Sequence, residues 1–139
     1  MLQYKKLTKN AIINSPAKEG DAGFDLLTNN FTTIHKDKIV AVSTGISLEI
    51  PKGYVGIICE KSGLALKKGI QVMGGIIDSG YRGEIKVILK NNGVSDKTFK
   101  PNDKIAQLLI IPCITPKLVQ VKVLDKSDRG DDGFGSTGE

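Results

Sequence analysis

Apolar residues alternate with polar ones over short stretches of this chain, and turn signals interrupt those stretches roughly every 8 to 12 residues. A period of two places successive side chains on opposite faces, so each stretch reads as a half-buried β-strand. Gly45-Ile46-Ser47-Leu48-Glu49-Ile50 is the clearest case, with Ile46, Leu48 and Ile50 on one face. Phe31 to Ile34 and Ile39 to Val42 are shorter runs, separated by His35-Lys36-Asp37-Lys38, which reads as a polar hairpin tip. Pro51-Lys52-Gly53 turns the chain into Tyr54-Val55-Gly56-Ile57-Ile58-Cys59. Two apolar arms flank Gly74-Gly75, which suits a tight hairpin. Glu84 to Lys90 and Ile105 to Pro112 are longer apolar runs, and Leu118 to Leu124 is the last alternating strand. About ten short strands in this rhythm point to an all-β sandwich or barrel.

A chain of 139 residues is the size of one domain, with neither an internal repeat nor a linker. It can bury roughly two-thirds of its unfolded surface, so it needs no metal or disulfide staple. No run of about 18 apolar residues is present, so no membrane span is expected. Met1 to Lys6 lacks the apolar core of a signal peptide. Cys59 and Cys113 sit in apolar runs and read as buried free thiols in a reducing compartment. The net charge is +5, yet the lysines are scattered and aromatic residues make up only 5%. That pattern argues against a nucleic-acid-binding stripe. A mildly positive protein still attracts a polyanionic small molecule. The only arginines, Arg82 and Arg129, both fall in Gly-rich stretches.

Several clusters break the β rhythm. Asp21-Ala22-Gly23-Phe24-Asp25-Leu26 enters a strand through a glycine turn; its aspartates suit a turn better than a metal. His35, the single histidine, has no visible partner and reads as surface decoration. Lys61-Ser62-Gly63-Leu64-Ala65 opens one or two helical turns that Gly69 can stop, with Ser62 as a natural N-cap. That start is either an anion site or merely a capped helix. Asp78 follows the apolar pair Ile76-Ile77, which is the setting of a tuned general base and equally of an Asp-Ser-Gly turn. Gln107 is the polar exception in an apolar strand, and its amide needs partners. The tail from Arg129 to Gly138 holds glycines, one arginine, Phe134 and the pair Ser136-Thr137. Composition alone favours a frayed end, although the same residues suit a phosphate and base grip.

Other nucleotide signatures are absent: there is no P-loop run and no dinucleotide-binding glycine fingerprint, and one histidine with two separated cysteines gives zinc no home. Taken in order, the clusters beginning at Asp21, Lys61, Gly75, Asp103 and Arg129 resemble the five motifs of the homotrimeric deoxyuridine triphosphatase (dUTPase) family. They span residues 21 to 138. The resemblance implies a jelly-roll-like subunit with one short helix, a core over residues 1–128, and a mobile C-terminal arm over 129–139. It also implies a homotrimer whose active sites lie at subunit interfaces, each closed by the arm of another subunit. The implied reaction is Mg²⁺-dependent hydrolysis of dUTP to dUMP and pyrophosphate, which limits uracil in DNA and supplies dUMP for dTTP synthesis.

By the same resemblance, Asp78 would activate the water that attacks the α-phosphorus and bond the 3′-hydroxyl. Tyr81 would lie against the sugar and refuse a 2′-hydroxyl. The backbone around Gly75, Ile76 and Ile77 would bond the uracil edge. Lys61, Ser62 and Gly63 would hold the α- and β-phosphates, and Gln107 would bond phosphates or a metal-bound water. Lys86 is counted with the substrate-binding residues. Arg129 and Ser136 would take the γ-phosphate, Phe134 would stack on uracil, and Gly135 would offer backbone contact. Mg²⁺ would ride mainly on the triphosphate, with Asp25 reaching it through water. The implied compartment is cytoplasmic, nuclear in a eukaryotic host, or the virion for a retroviral member. Two positions depart from the family pattern: Lys61 stands where arginine is usual, and Asp132 where glycine is common. A dCTP deaminase shares the fold but needs a glutamate by the pyrimidine; Tyr81 and the complete arm favour the hydrolase. A non-catalytic nucleotide sensor is the reading that an intact Asp78 argues against.

Overall fold

In the computed structural model, which describes residues 1–16 and 18–133, the alternating segments form eleven strands and one helix. The strands are β1 (Gln3–Lys6), β2 (Phe24–Leu27), β3 (Thr32–Ile34), β4 (Ile39–Ser43), β5 (Ile46–Glu49) and β6 (Tyr54–Cys59). Helix α1 (Ser62–Lys68) follows, then β7 (Ile70–Met73), β8 (Ile76–Ile77), β9 (Lys86–Asn91), β10 (Lys97–Phe99) and β11 (Lys104–Pro112). Two sheets dominate: one ordered β2-β11-β6-β8 and one ordered β4-β9-β7. Two ribbons, β1-β5 and β10-β3, complete the layers, and every pairing is antiparallel. The all-β architecture with one short helix is the one expected.

Burial follows the pleat. Ile46, Leu48 and Ile50 are buried while Glu49 points out, and Val87 and Leu89 are buried while Lys86 and Ile88 are exposed. These side chains join Leu26, Ile34, Val42, Ile58, Ile70, Phe99, Ile105 and Leu108 in one apolar core. Asn91 is a polar member of the interior. It donates to the carbonyls of Ile34 and Ser95 at 2.9 Å and accepts from the Gly93 N–H at 2.9 Å, so its amide is satisfied.

Two expected hairpins are sheet changes instead. The His35–Lys38 turn links β3, paired with β10, to β4, paired with β9. His35 is also not partnerless: its Nδ1 lies 2.7 Å from Asp96 Oδ2. It stays on the surface. Gly74-Gly75 carries the chain from β7, paired with β9, to β8, paired with β6. Both glycines have positive φ, 70° and 96°, but the Gly75 carbonyl accepts the Ile58 N–H at 2.8 Å. That bond to β6 directs the second arm away from the first.

Three local readings change as well. The N-cap of α1 is Lys61, extended at φ −88° and ψ 122°, with no side-chain cap; Ser62 is already helical. Gly69 ends the helix at φ 64°, where a Cβ would stand 2.8 Å from Gly93 N. Residues 113–124 form no strand, and Leu118, Val119, Val121, Val123 and Leu124 are exposed. Alternation alone cannot hold a strand, which needs an edge to pair with, and this segment pairs with none among the described residues. Cys113, just beyond β11, is exposed rather than buried; Cys59 is half-buried, and both are free thiols.

Candidate active site

Three neighbouring strands set up the first cluster. Gln107 on β11 pairs in register with Asp25 on β2 and with Cys59 on β6. Past Cys59 the chain leaves the sheet through Glu60 and Lys61 into α1. Gln107 Nε2 donates to the Glu60 carbonyl at 2.9 Å, which gives the lone polar residue of that strand its partner. Gly23 makes room for it: a Cβ there would stand 3.3 Å from Gln107 Oε1 and from the Leu108 carbonyl. The Asp25 carboxylate is shared, with Lys61 Nζ 2.5 Å from Oδ1 and Lys104 Nζ 2.6 Å from Oδ2. Burial pushes this carboxyl up, but the hydrogen bonds and charges of Lys104 and Lys61 outweigh it and hold Asp25 below the usual carboxylate value. Two ammonium groups facing one carboxylate leave the cluster positive. Ser62 and Gly63 stand exposed at the helix start beside it, and a Cβ on Gly63 would meet nothing within 4 Å.

The second cluster lies around a cleft of about 300 Å³ lined by Ala41, Ile76, Ile77, Asp78, Tyr81, Glu84, Lys86 and Ile88. It gathers Ile76, Ile77, Asp78, Tyr81 and Lys86 of the expected residues, with Gly75 at the start of its wall. Tyr81 is fixed at both ends: its N–H donates to the Asp78 carbonyl at 3.0 Å and its hydroxyl to the Glu84 carbonyl at 3.0 Å. Its ring lies over Gly83, where a Cβ would fall 2.6 Å from Cζ. The Asp78 side chain is exposed.

Lys61, Ser62, Gly63, Gln107 and Asp25 do not line this cleft. Arg129 is exposed and donates from Nε to the Asp132 carbonyl at 3.0 Å, a bond within its own turn. Phe134, Gly135 and Ser136 lie outside the described residues. Among the described residues no three His, Cys, Asp or Glu side chains group as a metal site. The structure adds Lys104 and Glu84, to which the sequence reading gave no role. Lys104 opens β11 three residues before Gln107, and Glu84 closes the segment that carries Asp78 and Tyr81; those positions are the signals that point to them.

The family model for dUTPase matches residues 9–138. The chain belongs to the dUTPase family. It is 44% identical over 137 residues to the deoxyuridine 5′-triphosphate nucleotidohydrolase of Paramecium bursaria Chlorella virus 1, covering 99% of this chain and 97% of that one. The solved Staphylococcus bacteriophage 80alpha dUTPase with dUpNHpp superposes with a TM-score of 0.95 at 29% identity, covering 100% of this chain and 99% of that one. A mutant dUTPase of phage phi11 of S. aureus, whose structure describes coordination of a structural Mg(II) ion, superposes with a TM-score of 0.84 at 27% identity over 88% of this chain and 97% of that one. The expected fold class and the expected family of dUTP-hydrolysing enzymes are both borne out. Of the site, the dUTPase chain itself presents a cationic cluster beside a helix start and, separately, a cleft bearing Asp78 and Tyr81.

Proposed function

We propose that this chain hydrolyses dUTP to dUMP and pyrophosphate by attack of an Asp78-activated water on the α-phosphorus. The carrying observation is the cleft itself: Asp78 and Tyr81 share it with the apolar pair Ile76-Ile77, and its volume sits at the lower end of the range for small-ligand pockets. Asp78 takes a proton from water as the oxygen bonds to the α-phosphorus. The bridging bond to the β-phosphate breaks, and pyrophosphate leaves. The Tyr81 ring, held on Gly83 by its hydroxyl bond to Glu84, lies against the deoxyribose and excludes a 2′-hydroxyl. The backbone at Gly75, Ile76 and Ile77 reads the uracil edge, and Lys86 adds a positive charge on the same wall. A site built to pair with one base edge rejects others strongly, because its own polar groups are left unpaired.

Lys61, Ser62 and Gly63 take the α- and β-phosphates, and Gln107 steadies the backbone at Glu60 that presents them. Positioning and charge neutralisation supply most of the acceleration. Asp25 is already bonded to a lysine on each oxygen, so it fits a water-mediated contact to Mg²⁺ and not direct ligation. Mg²⁺ is held by the triphosphate, and when bound it neutralises charge on the phosphate oxygens.

A cleft that none of Lys61, Ser62, Gly63 or Gln107 lines within one chain supports a homotrimer with shared sites. The proposed units are residues 1–128 and the arm 129–139, whose Arg129, Phe134, Gly135 and Ser136 close over a neighbour's site. Free thiols at Cys59 and Cys113 fit a cytoplasmic setting. Among the described residues, no helix is long and apolar enough to cross a membrane. The test is incubation with Mg²⁺ and dUTP, UTP, dCTP or dTTP, reading pyrophosphate and base identity. Pyrophosphate from dUTP alone is expected; ammonia from dCTP, or binding without turnover, overturns the reading.

A further inference from the structure

The segment that carries Asp78 and Tyr81 is tied across the sheets to the β4–β5 turn, and the ties are unusually dense. Ser43 Oγ donates to Glu84 Oε1, which also accepts the Gly45 N–H at 2.8 Å. Thr44 Oγ1 donates to the Ile85 carbonyl at 2.6 Å, and the Ile85 N–H donates to the Ile46 carbonyl at 2.8 Å. Ser47 Oγ donates to the Arg82 carbonyl at 2.6 Å, while Arg82 Nη2 pairs with Glu49 Oε1 at 3.3 Å. Arg82 then reaches back with Nη1 to the carbonyls of Ser79 and Tyr81, at 2.7 and 3.0 Å. Thr44 and Ser47 occupy buried positions where apolar side chains would serve packing as well. Hydroxyls there do something apolar groups cannot: they fix the backbone of the loop opposite.

From this geometry we infer that Ser43 and Glu84 are positioning residues that set substrate discrimination, by fixing the Tyr81 ring against the sugar of a bound nucleotide. The path is short. Ser43 and the Gly45 N–H hold the Glu84 carboxylate; the Glu84 carbonyl holds the Tyr81 hydroxyl; and that bond, with Gly83 beneath the ring, fixes the surface a 2′-hydroxyl would strike. A carboxylate suits the post. Partial burial raises its pKa, but Ser43, the Gly45 N–H and Lys86 outweigh burial, so Glu84 is held ionised as a strong acceptor. Neither Ser43 nor the turn from Thr44 to Ser47 lies in any of the five clusters that resemble family motifs. The inference rests on the proposed roles of Asp78 and Tyr81.

The test compares kcat/KM for dUTP and for UTP in Glu84→Ala, Glu84→Gln and Ser43→Ala, with thermal melts as the folding control. Glu84→Ala is expected to lower kcat/KM for dUTP by roughly 10- to 100-fold and to narrow the dUTP:UTP ratio by at least about tenfold, since small misplacements at a site are costly. Glu84→Gln keeps the accepting oxygen and is expected to restore most of that ratio. Ser43→Ala is expected to narrow it about threefold, and it carries the test alone if Glu84→Ala does not fold. A folded Glu84→Ala or Ser43→Ala protein with the wild-type dUTP:UTP ratio overturns the inference, even where turnover has fallen. Asp78→Ala with near-normal turnover overturns the catalytic reading instead, so the two failures are separable.

Discussion

Gly75 is the position where backbone, fold and site meet, and replacing it with alanine should be costly in a way that replacing its neighbour is not. Gly75 sits at φ 96°, and an added Cβ would stand 2.8 Å from the Ile58 carbonyl oxygen. An L-residue with such a backbone carries a strain of about 1–3 kcal/mol. The clash is with main chain, so no side chain can swing away. Relief requires moving Gly75 from β6, which strains or breaks the bond from the Ile58 N–H to the Gly75 carbonyl, worth about 0.5–1.5 kcal/mol. Together they come to about 1.5–4.5 kcal/mol. Gly74 is the control: its φ is 70°, but an added Cβ meets only Ile88 Cδ1 at 3.8 Å, so only the left-handed cost of about 1–2 kcal/mol applies. Urea unfolding at fixed protein concentration reads both. With a slope of about 2 kcal/mol per molar, Gly75→Ala should lower the midpoint by about 1–2 M, and visibly more than Gly74→Ala. Moving Gly75 also moves the β8 backbone that is proposed to read uracil, so KM for dUTP should rise for Gly75→Ala beyond any change for Gly74→Ala. Equal midpoints for the two variants, or a Gly75→Ala protein within about 0.5 kcal/mol of wild type, would refute this reasoning.

Three further outcomes are expected. Asp78→Ala should keep nucleotide binding in equilibrium titration while turnover falls by about 10²- to 10⁴-fold, the usual contribution of a positioned base. Deleting 129–139 should leave a folded protein by circular dichroism with little dUTP hydrolysis; unfolding on truncation would make the arm structural. Asp25 and Glu84 are both held below their ordinary carboxylate values, so their contribution to stability is fully present above about pH 5 and is lost as the pH falls through their folded values. Acid melts below about pH 5 should therefore show a shallower slope in Asp25→Asn than in wild type.

What the sequence discloses and what it conceals divide by range. Burial along β5 is legible because the pleat is local: Ile46, Leu48 and Ile50 announce their face wherever the strand goes. The stop at Gly69 is legible for the same reason, since the left-handed cap is a property of one residue. Pairing is not local. Gly74-Gly75 satisfies the backbone demands of a hairpin, yet the Ile58 N–H captures the Gly75 carbonyl and sends the chain to another sheet. His35 shows no partner in the sequence because Asp96 stands 61 residues away. Ser62 loses the N-cap position because Lys61 stays extended, with its ammonium drawn to Asp25. Lys104 is one lysine among many until the register of β11 on β2 sets it on the same carboxylate.

The same division bears on assembly. Leu118 to Leu124 keeps a strand's alternation, but its apolar members lie open, and Ile39, Met73, Ile76 and Ile88 leave a further apolar surface uncovered. Met73 and Ile88 are register partners, and Ile76 lines the same cleft as Ile88; exposed apolar residues that gather mark an interaction face more often than a free one. Asp78 and Tyr81 line the cleft that also contains Ile76 and Ile88, so part of that uncovered surface borders the proposed chemistry. Neither Lys61 nor Arg129 lines that cleft in the single chain. A trimer that brings another subunit's cationic cluster against this cleft would cover the apolar residues and complete the proposed site in one step. On that view, the alternation at 118–124 is strand-forming, and what the single chain lacks is the edge a second copy would supply.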